Sequence, residues 1–560
     1  MLVCAPFHSV ANPPVGMAYL TSYLAVHGVD CRPRDLNIEA REFLRALPGP
    51  DGTPGAYAAV ADDLFALARR TYLGEAVAWS WFDAGGAEAV VARAMTHPFD
   101  AMRDFWEGAE IERLLNDPAV RHVDVALREW LQRAAEAIAR TAQGWVGFST
   151  TVTNFAPTLF LARRLREIDP DLLLIIGGPH VTVRNAEHIL RACRVFDFAI
   201  PLPAFEALRM LLTDVGAARR RPVPPGAWRA TRQADVGSKP FGMRVVDVES
   251  SAGSSRIDLE ALPPADWTWA HLNRYDSGFL MKNATGNFDK WYPTVPLQTS
   301  RGCSYSRCKF CHNVVDYPKY SMQSPDRVAH EIRHQIRTVG SRGFFFTDDE
   351  FSGSRRRTLE ICRKLRSLDE DIRYFCWVRL DRIDAELLEE MYASGARQLF
   401  IGVEAVDGEL LSLMDKGYGS REAVANLKLL RNFADRHPEL VYVFNLIVDY
   451  PGETLSAVRN TLAIVANNPE LFVGKVAACC VFHLYEGTPA FEQLGACAIA
   501  CIDPLLPSDI AVPDLRYLYP PTGLETRDAR MEIWSAIADF VRFKEPTRHG
   551  YSRNTVAIYD

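Results

Sequence analysis

Apolar and polar positions along this chain fall into two long strand–helix series separated by an irregular stretch. The first series runs from residue 1 to about 215. "MLVCAPF" is a continuous apolar strand, "VGMAYLTSYLAVHG" a helix ending at Gly28, and "WVGFSTT" (145–151) another strand. "APTLFLARRLREIDP" is an amphipathic helix stopped by Pro170, and "LLLIIGGPH" (172–180) is a buried strand that breaks at paired glycines. Strands that are apolar throughout and alternate with helices predict a parallel, doubly wound, Rossmann-like sheet covered on both faces. Between about 40 and 140 the chain turns helical and rich in Ala, Arg and Glu, which predicts a helical insertion. Ligands of such sheets bind at the carboxyl ends of the strands, so "FSTT" and "GGPH" are the edges of interest.

Residues 216–295, with "RRRPVPPG" and "ALPPADW", show no long periodic element and read as a linker with some local structure. From about 296 the second series begins: strand "VPLQTS", helix 325–339, strand "GFFFTDDEF", helix 354–368, strand "IRYFCWVRL", helix 384–394 and strand "RQLFIGVEAV". "LVYVFNLIVDYPGET" and "VGKVAACCVFHLY" continue it. About six such units over 296–485 predict a partial TIM-like (β/α)6 barrel, with its chemistry at the carboxyl ends of the strands. Residues 486–560 hold one clear helix, roughly 525–546, and read as a small C-terminal cap bordering a substrate region.

Composition narrows the function classes. A chain of 560 residues is too long for one core, and 48% hydrophobic with 24% charged residues is ordinary for a globular protein. A net charge of −7 gives no electrostatic case for nucleic acid. The apolar runs are too short to cross a bilayer, so no membrane partner is expected. "MLVCAPF" reads as a strand rather than a signal peptide, which predicts a cytoplasmic location and reduced thiols. Twelve cysteines are present, most of them in apolar or helical contexts, and the group within "SRGCSYSRCKFCHN" (300–313) is the one clustered like a ligand set.

Three chemistries suit that loop. A structural zinc needs four ligands, but adjacent Cys311 and His312 reach two corners of one tetrahedron with difficulty, and no second CxxC follows. "CKFCH" (308–312) matches a haem-attachment pattern, which belongs to an exported context and leaves Cys303 unexplained. An iron–sulfur cluster on Cys303, Cys308 and Cys311 leaves one iron open to a further ligand. "SRGCSYSRCKFC", with an aromatic residue before its last cysteine, resembles the cluster loop of the radical S-adenosylmethionine (SAM) enzymes. The first gap holds four residues where the family usually has three.

That resemblance covers about residues 296–490 and implies a [4Fe-4S] cluster on Cys303, Cys308 and Cys311, with SAM at the open iron. It implies SAM contacts from Phe310, from Asp348, Asp349 and Glu350 in "GFFFTDDEF", from Arg379 in "WVRLDRID", and from Glu404 in "FIGVEAVDGELLSLMDKG". "VFNLIVDYPGET" resembles the stretch near the adenine, with Asp449 where glycine is common.

A competing signature is "HEIRH" (330–334), which places two histidines four apart on a helix where they can hold zinc beside a glutamate base. A zinc hydrolase on His330, Glu331 and His334, with Glu350 as a further ligand, is the alternative from another class. Ile332 and Ile336 as the apolar face of that helix place the histidines on its outer surface.

The first series resembles the cobalamin-binding domain that precedes the barrel in one group of radical SAM enzymes, through residues 6–37, 147–182 and 196–208. The likeness implies cobalamin contacts at Ser149, Thr150 and Thr151 on one strand end and Gly177, Gly178 and Pro179 on the next. Two departures stand out. "PLPAFE" (201–206) replaces a GEGE-like turn, and no D-x-H-x-x-G cobalt-ligating pattern occurs, so a lower histidine ligand is not expected. Together the resemblances imply a cobalamin-dependent radical SAM C-methyltransferase acting on an unactivated carbon of a peptide or other natural product. Its cofactors would be a [4Fe-4S] cluster, SAM and cobalamin, and its electron donor flavodoxin- or ferredoxin-like. A non-methylating rearrangement or cyclisation with the same cofactors is the alternative within the family.

Overall fold

The computed structural model describes residues 1–8, 10–67, 117–151, 153–234, 243–251, 257–282, 288–317, 319–482, 484–485, 487–494, 499–502, 513–518 and 524–541. The first series folds as expected into parallel strands β1 (Leu2–Cys4), β2 (Pro33–Asp35), β3 (Trp145–Ser149), β4 (Leu173–Gly177) and β5 (Phe198–Ile200). Their order across the sheet is β2-β1-β3-β4-β5. That is a flavodoxin-like order whose direction reverses between β1 and β3, which opens a crevice at their carboxyl ends. Helices cover both faces, so β3 and β4 read as nearly unbroken apolar runs and are buried almost throughout. Of the expected insertion, the helices Leu36–Arg45, Ala58–Leu67 and Pro118–Thr141 are described. Residues 68–116 lie outside the described residues.

The segment 216–295 is not a plain linker. Strands β6 (Trp228–Ala234) and β7 (Met243–Ser250) extend the first sheet antiparallel beyond β5. Strands β8 (Gly278–Lys282) and β9 (Phe288–Leu297) pair antiparallel at the edge of the second sheet. A short ladder, β10 (Ser300–Arg301) with β11 (Ser321–Met322), closes the base of the cysteine loop.

In the second sheet β9 is followed by β12 (Gly343–Phe346), β13 (Arg373–Arg379), β14 (Ala396–Glu404), β15 (Val441–Val448) and β16 (Val476–Val481). These six run parallel, in the order β16-β15-β14-β13-β12-β9, with β8 outside. One face packs against the crossover helices. The other carries a separate aromatic layer in which Phe345 stacks on Phe375 at 4.3 Å and Trp377 on Phe400 at 4.5 Å between ring centroids. That layer lies within four residues of the strand ends and forms a floor beneath whatever binds there.

The two sheets share one contiguous hydrophobic core. Backbone bonds join the loop after β1 to the second sheet: Asp276 N donates to Val10 O at 3.0 Å and Ser277 N to Ala11 O at 2.9 Å. Tyr19 sits with its hydroxyl 3.5 Å from Gln298 O at the end of β9. The helix Pro325–Val339 clamps the intervening segment, because buried Glu331 accepts from Ala265 N at 3.0 Å while Gln335 donates to Ala265 O at 2.8 Å.

Candidate functional site

The cysteine loop leaves the end of β9 and is fastened by the acidic run after β12. The three adjacent acids follow the end of β12, where the chain leaves the strand and bends at Asp349, and each meets a different part of the loop. Asp348 is fully buried; its Oδ1 accepts from Thr299 N at 2.6 Å and Ser300 N at 2.9 Å, and its Oδ2 from Thr299 Oγ1 at 2.5 Å. It anchors the start of the loop. Asp349 accepts from Gly302 N at 3.0 Å and Asn313 Nδ2 at 2.7 Å, bracketing the loop on both sides of the cysteines. Glu350, also fully buried, meets the loop at Cys303: its Oε2 accepts from Ser304 N at 3.0 Å, Ser304 Oγ at 2.9 Å and Cys303 Sγ at 3.0 Å. Its Oε1 has no hydrogen-bond partner among the described residues, a costly condition for a buried carboxylate and one that suits a site awaiting a cationic or donor ligand.

Cys308 is buried at the centre of a cationic group. Arg379, at the end of β13, points Nη1 at Cys308 Sγ at 3.6 Å. Asp381 grips its Nε and Nη2 at 2.9 and 3.1 Å, and Nη2 also reaches Lys416 O at 2.7 Å. Tyr305 lies under the guanidinium, 4.0 Å from ring centroid to Cζ. Its hydroxyl donates to Asp415 Oδ1 at 2.9 Å, and a Cβ on Gly417, whose φ is 84°, would fall 2.5 Å from the Tyr305 hydroxyl, so the close approach needs glycine there. Lys416, 3% exposed, lies 3.5 Å from Glu404 Oε1, donates to Gly402 O at 3.2 Å, and has its Nζ 5.7 Å from the centroid of Phe310. Burial works against its charge, but the neighbouring Tyr418, Glu404 and Cys308 hold its pKa above that of an ordinary lysine. Sequence reasoning named Glu404 and missed Lys416, which in "LMDKG" looks like a helix-terminal lysine.

Burial pushes the Cys303 and Cys311 thiols up to about 12, with Glu350 adding to the first and Cys308 to the second. Both are therefore thiols until a metal displaces their protons. No three His, Cys, Asp or Glu side chains converge on a single-ion geometry among the described residues. The donors that the cysteine loop offers are three thiols on one short segment, and thiolates are the ligands that an iron–sulfur cluster takes. The residues fit that group. The HEIRH helix does not supply a competing metal site, since Glu331 is spent on Ala265, Gln335 and Arg327 while His330 is exposed on the far side.

At the end of β15, Asp449 turns into the left-handed region (φ 57°) and is buried. Its carboxylate takes Arg527 Nε and Arg530 Nη2, each at 3.0 Å, from the helix Leu524–Val541. Glu453 accepts from Trp534 Nε1 at 3.2 Å and lies 3.6 Å from Arg530 Nε. Burial raises its pKa to about 8. Between these two acids, Tyr450 is 4% exposed, meets Phe482 edge-on at 4.8 Å, and has no hydrogen bond from its hydroxyl among the described residues.

On the first sheet the ends of β3 and β4 are laced together: Thr150 N donates to Gly177 O at 2.8 Å and His180 N to Thr150 O at 3.0 Å. Gly178 has φ 96°, and a Cβ on it would run into the Thr150 backbone, so this glycine is required by the neighbouring strand end itself. Ser149 and Gly177 pair across the two strands, and Thr151 N donates to Asn154 Oδ1 at 2.7 Å. Thr150 Oγ1 is buried without a hydrogen-bond partner. An unmatched hydroxyl on a strand end at the crevice side of the sheet fits a bound polar ligand. The loop after β4 approaches the second domain where Arg184 packs on Gly487, and Tyr485, two residues earlier, lies 5.1 Å from the ring of His312 beside Cys311. The carboxyl edge of the first sheet and the cysteine loop thus border one region.

No helix among the described residues is long and apolar enough to cross a membrane. The profile of the Radical SAM superfamily matches residues 297–465, the strands and loop that carry this site. Among curated proteins, the uncharacterized methyltransferase PH0819 of Pyrococcus horikoshii is 20% identical over 318 residues, 57% of this chain and 62% of the relative. The anaerobic magnesium-protoporphyrin IX monomethyl ester cyclase of Cereibacter sphaeroides is 22% identical over 356 residues, 61% of this chain and 52% of the relative. The chain thus spans only 62% and 52% of the length of these two relatives. Among solved structures, the radical SAM methyltransferase TsrM from Kitasatospora setae, with tryptophan substrate and a SAM analog bound, gives a TM-score of 0.57 at 16% identity over 96% of this chain and 88% of that one. The same protein with cobalamin and a [4Fe-4S] cluster bound gives 0.55 at 15% identity over 98% of this chain and 89% of that one. At such identity the structural likeness establishes the shared fold. Residues 297–465 match the Radical SAM superfamily, and the chain as a whole shares the fold of a radical SAM methyltransferase that has been solved with cobalamin and a [4Fe-4S] cluster bound.

Proposed function

We propose that this protein is a cobalamin-dependent radical SAM C-methyltransferase acting on an unactivated carbon of a peptide or other natural product. The observation that carries the reading is the three-cysteine loop set among Glu350, Arg379, Lys416 and Glu404 at one sheet's strand ends, bordered by the carboxyl edge of a flavodoxin-like sheet. When bound, the cluster, SAM and cobalamin would supply electron transfer, a carbon-centred radical and a transferable methyl group.

The chain's own residues divide the supporting work. Cys303, Cys308 and Cys311 would hold the cluster as thiolates, and Cys303 would then have no proton to donate to Glu350. Glu350 then keeps only the two donors of Ser304 and is available to an ammonium group. Arg379 and Lys416 provide the positive side of the pocket, for a carboxylate and for the added charge of a reduced cluster. Phe310 and the Phe345–Trp377 floor exclude water. Asp348 and Asp349 act as holders of the loop in this reading rather than as SAM ligands. On the first sheet Thr150 Oγ1, with Ser149, Thr151, Gly177, Gly178 and Pro179 around it, forms the cobalamin edge. A one-electron donor of flavodoxin or ferredoxin type is the expected partner.

The test is metal analysis after strictly anaerobic purification with cobalamin supplied, followed by incubation with SAM and a reductant. The proposal expects about four iron and about one cobalt per chain, with S-adenosylhomocysteine and 5′-deoxyadenosine both formed. Iron without cobalt would remove methyl transfer through cobalamin and leave only the barrel chemistry. 5′-Deoxyadenosine without S-adenosylhomocysteine would favour a rearrangement or cyclisation.

A further inference from the structure

The four residues between Cys303 and Cys308, the gap that departs from the usual spacing, fold into a small structure of their own. Ser306 takes the left-handed conformation (φ 46°), and its Oγ donates to Cys303 O at 2.5 Å. A residue with a Cβ keeps such a conformation only where its surroundings fix it, and strain of this kind collects at functional sites. The turn brings Tyr305 and Arg307 together. Arg307 lies against the Tyr305 ring, 4.6 Å from its centroid, and donates from Nη2 to the Tyr305 hydroxyl at 3.0 Å. The same ring carries the buried Arg379, and the same hydroxyl is fixed by Asp415. One tyrosine thus links an exposed arginine to the arginine that approaches Cys308. Arg307 makes no ion pair among the described residues, because the acids of this corner are engaged elsewhere: Asp415 accepts from Tyr305 and Asp381 grips Arg379. Fixing a long side chain at the surface costs rotamer freedom, which the contact with the ring offsets. The result is one positive charge held in place beside the cysteine loop of a chain whose net charge is −7.

We infer that Tyr305 and Arg307 form a docking point for an acidic one-electron donor protein, at the place where the cysteine loop reaches the surface. The inference rests on the proposal that this loop holds a cluster, and deepens it by assigning the donor's seat. In the step it serves, the donor loses one electron and the cluster gains it; no bond forms or breaks and no proton moves. Arg307 supplies the charge that orients the donor, and Tyr305 holds that charge next to Arg379. An exposed charge of this kind acts mainly on the rate of encounter and on its dependence on salt.

Stopped-flow reduction of the reconstituted full chain tests this, with a reduced bacterial flavodoxin as the protein donor and titanium(III) citrate as a donor too small to need a docking face. Calorimetric titration with the same flavodoxin, in its oxidised form, reads affinity independently of electron transfer. Arg307→Glu is expected to slow reduction by flavodoxin about tenfold and to weaken its binding to a similar extent, with the titanium rate and the iron content unchanged. Arg307→Lys keeps the charge and should keep most of both. Added salt should slow reduction of the unmodified protein by flavodoxin and remove most of its difference from Arg307→Glu. Arg133→Glu makes the same charge change on an exposed residue of the helix Pro118–Thr141 and should alter neither rate. Failure of the unmodified protein to take up iron would overturn the site assignment itself. With iron loaded, equal flavodoxin rates in the unmodified and Arg307→Glu proteins would overturn this inference alone. So would an equal loss in Arg133→Glu, which would reduce the effect to net charge, or a parallel loss of the titanium rate, which would make Arg307 a holder of the loop.

Discussion

Arg379 lies flat on the ring of Tyr305, 4.0 Å from its centroid, and from that fixed seat turns one nitrogen to within 3.6 Å of the Cys308 sulfur. The seat is rigid because Asp381 takes two edges of the guanidinium. A cation so placed favours the extra electron of a reduced cluster. Arg379→Gln should therefore lower the cluster's midpoint potential, by on the order of 40–60 mV for about 1 kcal/mol of lost attraction. Redox titration followed by electron paramagnetic resonance reads this directly, and an unchanged potential would assign the charge to Asp381 alone.

Asp348 should prove a loop anchor. Asp348→Ala leaves three donors of Thr299 and Ser300 facing an empty site. The apo protein is expected to lose roughly 3–5 kcal/mol of stability by denaturant unfolding. Asp348→Asn, able to accept some of those bonds, should lose about half as much. A stable Asp348→Ala protein that loads iron normally would contradict the role.

Glu453 should make stability pH-dependent. Its carboxyl pKa is raised by burial to about 8 in the folded protein, from an ordinary value of 4.5. The folded state therefore holds a proton that the unfolded chain has already released at neutral pH. Its contribution is fully present below about pH 4.5, falls as pH rises, and is lost by about pH 8. The slope is at most about 1.4 kcal/mol per pH unit across that window. Glu453→Gln, which cannot ionise, should flatten this part of the stability profile.

The HEIRH helix supplies a control against zinc chemistry. His330→Ala is expected to change stability by no more than about 0.5 kcal/mol and to leave metal content unaltered. Glu331→Ala should destabilise by roughly 3–5 kcal/mol because Ala265 and Arg327 lose their partner inside the core. Zinc lost together with activity in His330→Ala would revive the hydrolase reading.

The parts of this site readable from sequence were those carried by short, local patterns. Three cysteines within nine residues, three acids closing an apolar strand and an arginine ending another were each visible as strings. Their separate duties were not, because what Asp348, Asp349 and Glu350 each reach is set by the bend after β12 and by where the cysteine loop folds back against it. Lys416 was concealed by its helix-terminal context, and its function comes from Glu404 and Cys308, which other elements deliver. Arg530 and Trp534 lay further out of reach, since nothing in a surface-like helix pattern announces an acid 81 residues earlier. The strands within 216–295 were missed for another reason. They pair antiparallel in hairpins at the margins of the two sheets, where apolar alternation is weak, and β9 carries two prolines within it.

Those edge strands decide how the molecule can be taken apart. β6 covers the outer rim of β5, so a recombinant fragment ending at 215 would bare a row of unpaired amides on its last buried strand and would be prone to associate. A cut after Ser251 keeps that rim closed. A second fragment has to begin near Ile257, because Leu259 to Tyr275 carry the packing that seals the helix Pro325–Val339. The place where the sequence looks most like a hinge is thus one of the worst places to divide the protein.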